Sequence, residues 1–168
     1  MKILIVYYSR TNVTKMIAEK LQKELKCDIE EITDNGNYNG KLGYLKGGMT
    51  ASMSRTSDIN PIAKTPSDYD LVIVGTPVWA SNIATPVFTY LMKYRGQINK
   101  MASFCTCISS GWEKTLMRLA EVSQKTQLSQ MHLTAKDVEN PNKKIKTFIN
   151  KIKYVYTKVI LCPKTMQY

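Results

Sequence analysis

Hydrophobic residues along the chain form short uninterrupted runs that alternate with amphipathic stretches. Continuous apolar runs at Lys2–Tyr8, Asp70–Thr76 and Met101–Ile108 are typical of parallel strands buried on both faces. Two more polar segments, Cys27–Thr33 and Leu128–Leu133, predict further strands, of which the first suits a sheet edge. The pattern therefore predicts five strands.

Amphipathic helices are predicted between these strands. Val13, Ile17, Leu21 and Leu25 recur every four residues, which indicates a helix with one apolar side. Further helices are predicted near residues 41–52, from Pro86 to about Tyr94, over Glu113–Lys125 and from Asn142 onward. Because parallel strands need helical crossovers, the alternation predicts an α/β fold with a doubly wound sheet and helices on both faces.

The length of 168 residues suits one compact domain, assigned to residues 1–155, followed by a loose basic tail over residues 156–168. No apolar run approaches the ~18 residues that a membrane-spanning helix needs. The first residues also lack the features of a secretory signal, so we expect a cytoplasmic protein.

The net charge of +11 is concentrated near the C-terminus. The segment Pro141–Tyr168 contains seven lysines and no acidic residue, so residues 1–140 carry only +4. The lysines fall mainly opposite the apolar side of the last predicted helix, which favours a solvated helix face. Contact with nucleic acid, an anionic membrane or an acidic protein is the alternative, and nucleic acid is the least favoured partner.

The sequence offers few groups for direct chemistry. Its four cysteines, Cys27, Cys105, Cys107 and Cys162, form no C-x-x-C pair, and His132 is the only histidine. This set predicts no metal site and excludes most nucleophile–histidine arrangements, so no catalytic side chain is assigned. Cys105 and Cys107 alternate along a strand and are predicted to lie in the core. The sequence thus indicates either that a bound cofactor supplies the chemistry or that the protein binds a ligand without catalysis.

Three loops at the carboxyl ends of predicted strands could bind a ligand. Ser9–Thr14 has three hydroxyls at a helix start, where backbone N–H groups and the helix dipole favour phosphate; an ordinary helix cap is the alternative. The second loop, Thr76–Pro86, has Trp79, which is expected to be partly exposed and to stack on a flat ring unless it folds back over the helix ends. The third, Ser109–Trp112, adds a second possible aromatic wall.

Common nucleotide-binding motifs are absent. The sequence has no G-x-x-x-x-G-K-[ST] loop and no G-x-G-x-x-G after the first strand, which disfavours triphosphate and dinucleotide sites.

Three segments resemble the flavodoxin family: YYSRTNVTK (Tyr7–Lys15), YDLVIVGTPVWA (Tyr69–Ala80) and FCTCISSGWEKT (Phe104–Thr115). The resemblance covers roughly residues 1–150. It implies a five-stranded parallel sheet of order 2-1-3-4-5 with FMN bound at its carboxyl edge.

Carried over by position, the resemblance implies three groups of cofactor-binding residues. The FMN phosphate would be held by Ser9, Thr11, Asn12 and Thr14 with the backbone of Arg10 and Val13; the flavin ring would be lined by Thr76, Pro77, Val78, Trp79 and Ala80, and approached by Ser109, Ser110, Gly111 and Trp112. Asn12 stands where the family usually has glycine, and asparagine tolerates a left-handed backbone better than most residues. Val13 removes a polar group often found there.

The resemblance implies a flavoprotein, and we expect a low-potential one-electron carrier with non-covalent FMN. Because this chain is basic where flavodoxins are usually acidic, its redox partners are expected to have acidic surfaces. The alternatives are an FMN-dependent NAD(P)H oxidoreductase acting on quinones or similar acceptors, and a non-redox binding module that has lost FMN.

Overall fold

The computed structural model describes residues 1–35 and 56–161, with side chains up to residue 158. The helix predicted near residues 41–52 lies outside the described residues.

A parallel sheet forms the centre of the molecule. Its strands are β1 (Ile3–Tyr7), β2 (Asp28–Glu31), β3 (Leu71–Trp79), β5 (Met101–Thr106) and β6 (Gln127–Leu133), and a two-residue strand, β4 (Asn82–Ile83), pairs antiparallel with β3. The parallel strands lie in the order β2-β1-β3-β5-β6. Without β4 this is the predicted order 2-1-3-4-5, so the predicted doubly wound topology is confirmed.

Within the two described ranges, three α-helices follow β1, β4 and β5 and connect the strands, and two more follow β6. They are α1 (Val13–Leu25), α2 (Thr85–Tyr94), α3 (Trp112–Ser123), the short α4 (Ala135–Glu139) and α5 (Asn142–Leu161). The predicted helices over these stretches are confirmed to within a few residues at their ends. The short helix α4 was not predicted.

The core consists of two hydrophobic layers, one on each side of the sheet. Leu4 and Val6 of β1 face the layer that includes Leu119 of α3, whereas Ile3 and Ile5 face the opposite layer. This alternation follows from the period of two in a strand. Both faces of β1 are buried, which explains its continuous apolar sequence.

The last helix runs past the boundary proposed between domain and tail. Residues 156–161 are helical rather than loose, because α5 continues without a break to Leu161. Tyr156 packs against the core, and the Nζ atom of Lys100 lies 5.2 Å from the centre of its ring. The predicted solvated face is confirmed for the lysines that the structure describes as exposed on α5: Lys143, Lys146, Lys151, Lys153 and Lys158.

Across the two described ranges, no helix is both long enough and apolar enough to cross a membrane.

Candidate functional site

A cavity of about 620 Å³ lies at the carboxyl edge of the sheet. This volume falls within the range of roughly 300–1,000 Å³ that is usual for small-molecule sites. The cavity is bounded by the loop after β1, the end of β3 with the turn that follows, the loop after β5, and α4. It therefore occupies the edge at which ligands bind in open α/β sheets.

The loop after β1 presents the start of α1 to the cavity. Asn12 is the N-cap residue, with φ 62° and ψ 0°, so asparagine adopts the left-handed conformation in place of glycine, as predicted. Its carbonyl accepts a hydrogen bond from the backbone N–H of Met16 at 2.9 Å, which begins the helix. The N–H groups of the first helical turn have no partner within the helix itself and favour an anion.

Two predicted hydroxyls in this loop already make hydrogen bonds within the protein. Ser9 Oγ accepts a bond from the backbone N–H of Lys15 at 3.2 Å. Thr14 Oγ1 lies 2.8 Å from Thr106 Oγ1 on β5, and both side chains are buried. A hydroxyl that accepts one hydrogen bond still has its own proton to donate. Ser9, and one of the two threonines, can therefore donate to a further acceptor.

The chain after β3 forms a β-hairpin where the sequence predicted a loop. β3 continues to Trp79, and Val78 and Trp79 pair with Ile83 and Asn82 of β4. The turn residues Ala80 and Ser81 have φ angles of 50° and 59°. Positive φ at both central positions is the signature of a type I′ turn, whose twist matches that of paired strands.

Thr76, predicted to line the flavin ring, lies inside the protein. Its side chain is fully buried, its hydroxyl donates to the carbonyl of Pro77 at 2.9 Å, and it accepts a bond from the backbone N–H of Ala84 at 3.0 Å. Thr76 thus ties the hairpin to the residue preceding α2.

Trp79 was expected to be partly exposed, and that expectation is wrong. Only 5% of the residue is accessible, because its ring is packed into the core with Tyr8. The two ring centres are 5.6 Å apart and the ring planes are perpendicular. Trp79 still lines the cavity, but it offers a small part of its surface.

The loop after β5 is anchored by backbone hydrogen bonds on one side and by Gly111 on the other. The N–H of Cys107 donates to Leu133 at 2.9 Å, and the carbonyl of Ile108 accepts from Ala135 at 3.1 Å. Gly111 has a φ of 86°, and a Cβ atom there would lie 2.8 Å from Ser81 Oγ. The loop therefore packs closely against the hairpin turn.

Trp112, predicted as a second wall for the ring, stacks instead on His132. The ring centres are 3.7 Å apart and the planes are nearly parallel, at 9°. Lys144 Nζ lies 3.2 Å from His132 Nε2 and forms a 2.8 Å ion pair with Asp137. Trp112 is not one of the described residues that line the cavity.

The groups around this stack have shifted pKa values. Burial, followed by the charge of Lys144, lowers the pKa of His132, against the opposing effects of Asp137 and Glu113. Hydrogen bonds from Lys144 and Thr134 hold the pKa of Asp137 well below its usual range. The favoured state is thus a neutral imidazole beside a lysine–aspartate ion pair.

The structure brings ten predicted residues together around the cavity: Arg10, Thr11, Val13, Thr14, Pro77, Val78, Trp79, Ala80, Ser109 and Ser110. The other five, Ser9, Asn12, Thr76, Gly111 and Trp112, do not line it, although several support residues that do. Six lining residues were not among the fifteen assigned cofactor-binding residues, although one of them, Ser81, lies in the predicted second loop: Ser81, Thr106, Cys107, Ile108, Ala135 and Val138.

Two structural features explain why four of these residues were missed. Ala135 and Val138 belong to the unpredicted helix α4, which follows the last strand at the same edge. Cys107 and Ile108 were assigned to the interior of a strand, but β5 ends at Thr106. Cys105 is buried in the core as predicted, whereas Cys107 is only half-buried, and burial raises the pKa of its thiol.

Residues 2–152 match the family model described as Flavodoxin. The chain belongs to the flavodoxin family. No curated protein matches the sequence.

Solved flavoproteins share the fold. A flavoprotein from Lactobacillus acidophilus NCFM, solved in complex with FMN, is 24% identical, with a TM-score of 0.69 and coverage of 82% of this chain and 96% of that one. A flavoprotein from Bacteroides eggerthii is 20% identical (TM-score 0.71, 90% and 98% covered). Oxidised flavodoxin 1 from Bacillus cereus is 19% identical (TM-score 0.53, 91% and 98% covered). These similarities support the flavodoxin fold.

Proposed function

We propose that this flavodoxin-family protein binds FMN non-covalently in the carboxyl-edge cavity and acts as a low-potential one-electron carrier. The observation that carries the proposal is a single cavity of about 620 Å³ that joins a helix N-terminus to a largely apolar slot. FMN combines an anionic phosphate with a flat apolar ring, and the Lactobacillus relative is described in complex with it.

The loop after β1 suits the phosphate end of FMN. Thr11 and Thr14 line the cavity there, next to the N–H groups of the first turn of α1. Neutral donors at a helix N-terminus bind phosphate without a matched cation. Arg10 also lines the cavity and adds positive charge to this end.

The hairpin and the loop after β5 suit the ring of FMN. Pro77 and Val78 provide apolar surface from the hairpin, and Ile108 provides it from the loop after β5. Bound FMN would supply the redox chemistry, since flavins transfer one or two electrons. The protein residues would hold the ring and keep water from it.

The ionisable groups around the cavity favour electron transfer over chemistry that needs a proton donor. Among the described lining residues, only Arg10 and Cys107 have ionisable side chains, apart from hydroxyls. Arginine stays protonated, and burial raises the pKa of the Cys107 thiol. Neither is suited to general acid–base catalysis near neutral pH.

Potentiometric titration of the FMN-loaded protein tests the carrier role. We expect two separate one-electron steps and negligible NAD(P)H oxidation with added quinone. A single two-electron step with rapid NAD(P)H-dependent quinone reduction would support the oxidoreductase instead. Failure of the purified protein to bind FMN at all would support the non-redox module.

We also propose acidic protein surfaces as the partners of this carrier. The exposed lysines of α5 give one side of the molecule a strong positive charge. Association steered by such charges weakens as salt screens them, with a Debye length of about 8 Å at physiological ionic strength. Electron transfer to an acidic redox protein should slow as salt is raised, and a rate independent of salt would contradict this proposal.

A further inference from the structure

A cluster of polar side chains connects the end of β6 to the two helices that follow it. Lys144 Nζ lies 2.8 Å from Asp137 Oδ2, 3.2 Å from His132 Nε2 and 3.2 Å from the carbonyl oxygen of His132. An ammonium group has three protons to donate and cannot accept a hydrogen bond. The protons of Lys144 therefore match three acceptors, one of which is a ring nitrogen. His132, Asp137 and Lys144 together form the lysine cluster.

The lysine cluster requires a neutral imidazole. Because Lys144 donates to Nε2 of His132, that nitrogen has a free lone pair, and the proton of the neutral ring is on Nδ1. Protonation of Nε2 would set one donor against another and place a second cation beside the ammonium group. The contact between the two side chains therefore exists only while His132 is neutral.

Three charged groups lie near His132, one on each of α3, α4 and α5: Glu113, Asp137 and Lys144. Burial, followed by Lys144, lowers the pKa of His132 by more than the two carboxylates raise it. The thiols of Cys105, which pairs with His132 across β5 and β6, and of Cys107 stay protonated, because burial raises both pKa values. Among these groups, the hydrogen-bonded partner that responds to titration of the imidazole is Lys144.

The lysine cluster also holds α4, which bounds the cavity. Asp137 of α4 accepts hydrogen bonds from Lys144 and from the backbone N–H and hydroxyl of Thr134, at 2.8 and 2.7 Å. Ala135 and Val138 of the same helix line the cavity. Because α4 has only five residues, it is not stable without contacts to the rest of the protein.

We infer that the lysine cluster is a pH-sensitive connection, which fixes α4 to the end of β6 while His132 is neutral and loosens it when His132 is protonated. The ion pair between Lys144 and Asp137 remains after protonation, but it is no longer attached to β6. A ligand that needs α4 in place then binds more weakly as the pH falls. This last consequence rests on the proposed binding of FMN, whereas the connection itself does not.

Amide hydrogen exchange of the flavin-free protein tests the connection. The reporters are the N–H groups of Ala135 and Val138, which donate to the carbonyls of Ile108 and Thr134. Their protection factors, which correct for the intrinsic effect of pH on exchange, should fall at least about fivefold between pH 7.5 and 5.0.

Two substitutions should have opposite effects on these protection factors. His132→Gln removes the titrating ring but keeps an oxygen that can accept from Lys144, so protection of α4 should stay high at both pH values. Lys144→Met removes the donor, so protection should be low at both. Lys143→Met is the matched control, because Lys143 is exposed on the same turn of α5, and it should behave as the unchanged protein does.

An equal loss of protection in the unchanged protein and in His132→Gln would overturn the inference. It would also be overturned if Lys144→Met and Lys143→Met were equally protected at pH 7.5. Circular dichroism verifies that each variant retains the fold.

Titrations with FMN at the same two pH values test the consequence for the cavity. The ratio of the dissociation constants of the unchanged protein and His132→Gln should rise at least about fivefold toward pH 5.0. Comparison of two proteins cancels the titration of the FMN phosphate itself, which occurs near pH 6, about the value for a phosphate monoester. A constant ratio would overturn the effect on flavin. Absence of FMN binding at pH 7.5 would instead reject the proposed function, and hydrogen exchange would still decide the connection.

Discussion

Gly111 joins two of the segments that form the cavity. It adopts a left-handed φ of 86° at the start of α3, and its missing side chain lets the hairpin turn approach. An added Cβ atom would lie 2.8 Å from Ser81 Oγ and 3.1 Å from Ser81 Cα. The requirement for glycine is therefore both conformational and steric.

Replacing Gly111 with alanine should destabilise the protein by at least about 1 kcal/mol, because alanine is strained at positive φ. Urea denaturation measures the loss. Gly96→Ala is the control, since a Cβ atom at Gly96 has no neighbour within 4 Å and that glycine has no left-handed φ. Equal free energies of unfolding for the two variants would show that neither the left-handed φ nor the close contact at Gly111 requires glycine.

His132 should make the stability of the protein depend on pH. Burial and the neighbouring Lys144 lower its pKa below the usual value of 6.5. The unfolded chain therefore binds more protons than the folded protein as the pH falls below 6.5. Stability contributed by the neutral histidine should be complete above that pH and should decline as the pH falls through the lowered pKa.

Denaturation of the unchanged protein and of His132→Gln between pH 7.5 and 5 measures this dependence. The free energy of unfolding of the unchanged protein should fall more steeply toward pH 5 than that of the variant, which has no imidazole to protonate. Parallel profiles would contradict the assignment. The Asp137–Lys144 pair should not change stability over this range, because its contribution is complete above the ordinary carboxyl pKa of 3.8 and is lost only as the pH falls toward the lowered pKa of Asp137.

The sequence predicted local conformation at single residues better than it predicted exposure. The left-handed backbone at Asn12 follows from its place before a helix and from the tolerance of asparagine for that conformation. The burial of Trp79 and the turning of Trp112 toward His132 depend on partners distant in the chain. Neither Tyr8 nor His132 is linked to its tryptophan by any periodic pattern in the sequence.

At the scale of elements, the β3–β4 hairpin is the feature that shapes the cavity and that the sequence did not predict. Its turn consists of Ala80 and Ser81, both with positive φ, instead of the asparagine–glycine pair that marks such turns. The turn signal was therefore missing, although the strand itself was recognised by its apolar run. The five parallel strands and the helices other than α4 were predicted, mainly from apolar runs and from apolar residues at helical spacing.

Replacing Ala80 with glycine should stabilise the hairpin. A left-handed conformation costs a residue with a side chain roughly 1–2 kcal/mol, and glycine avoids most of that cost. Because glycine also loses more entropy on folding, we expect a net gain of up to about 1 kcal/mol. Thermal denaturation should show a higher midpoint for Ala80→Gly, whereas a lower midpoint would indicate that the alanine side chain is needed at this position.

At the scale of the whole molecule, topology brings three separate loops to one edge of the sheet. Crossover connections make the strands parallel, so the chain after β1, β3 and β5 emerges at the same side. The approximate place of the cavity was therefore predictable from the order of elements. The contribution of α4 was not, because that helix is short and lacks a distinct hydrophobic pattern.

The location of the excess positive charge, on the last helix, was also predictable. Lysines on the outer side of α5 are exposed, while Ile145, Phe148 and Ile152 on its inner side are buried. The helix predicted from Asn142 onward runs to Leu161, past the boundary proposed at residue 155, and Tyr156 packs against the core.

Parallel equilibrium titrations of the unchanged protein with FMN and with riboflavin decide whether the carboxyl-edge cavity is a flavin site. We predict one FMN bound per chain and riboflavin binding at least about tenfold weaker, because riboflavin has no phosphate to meet the start of α1. Absence of binding by either flavin, or equal affinity for both, would contradict it.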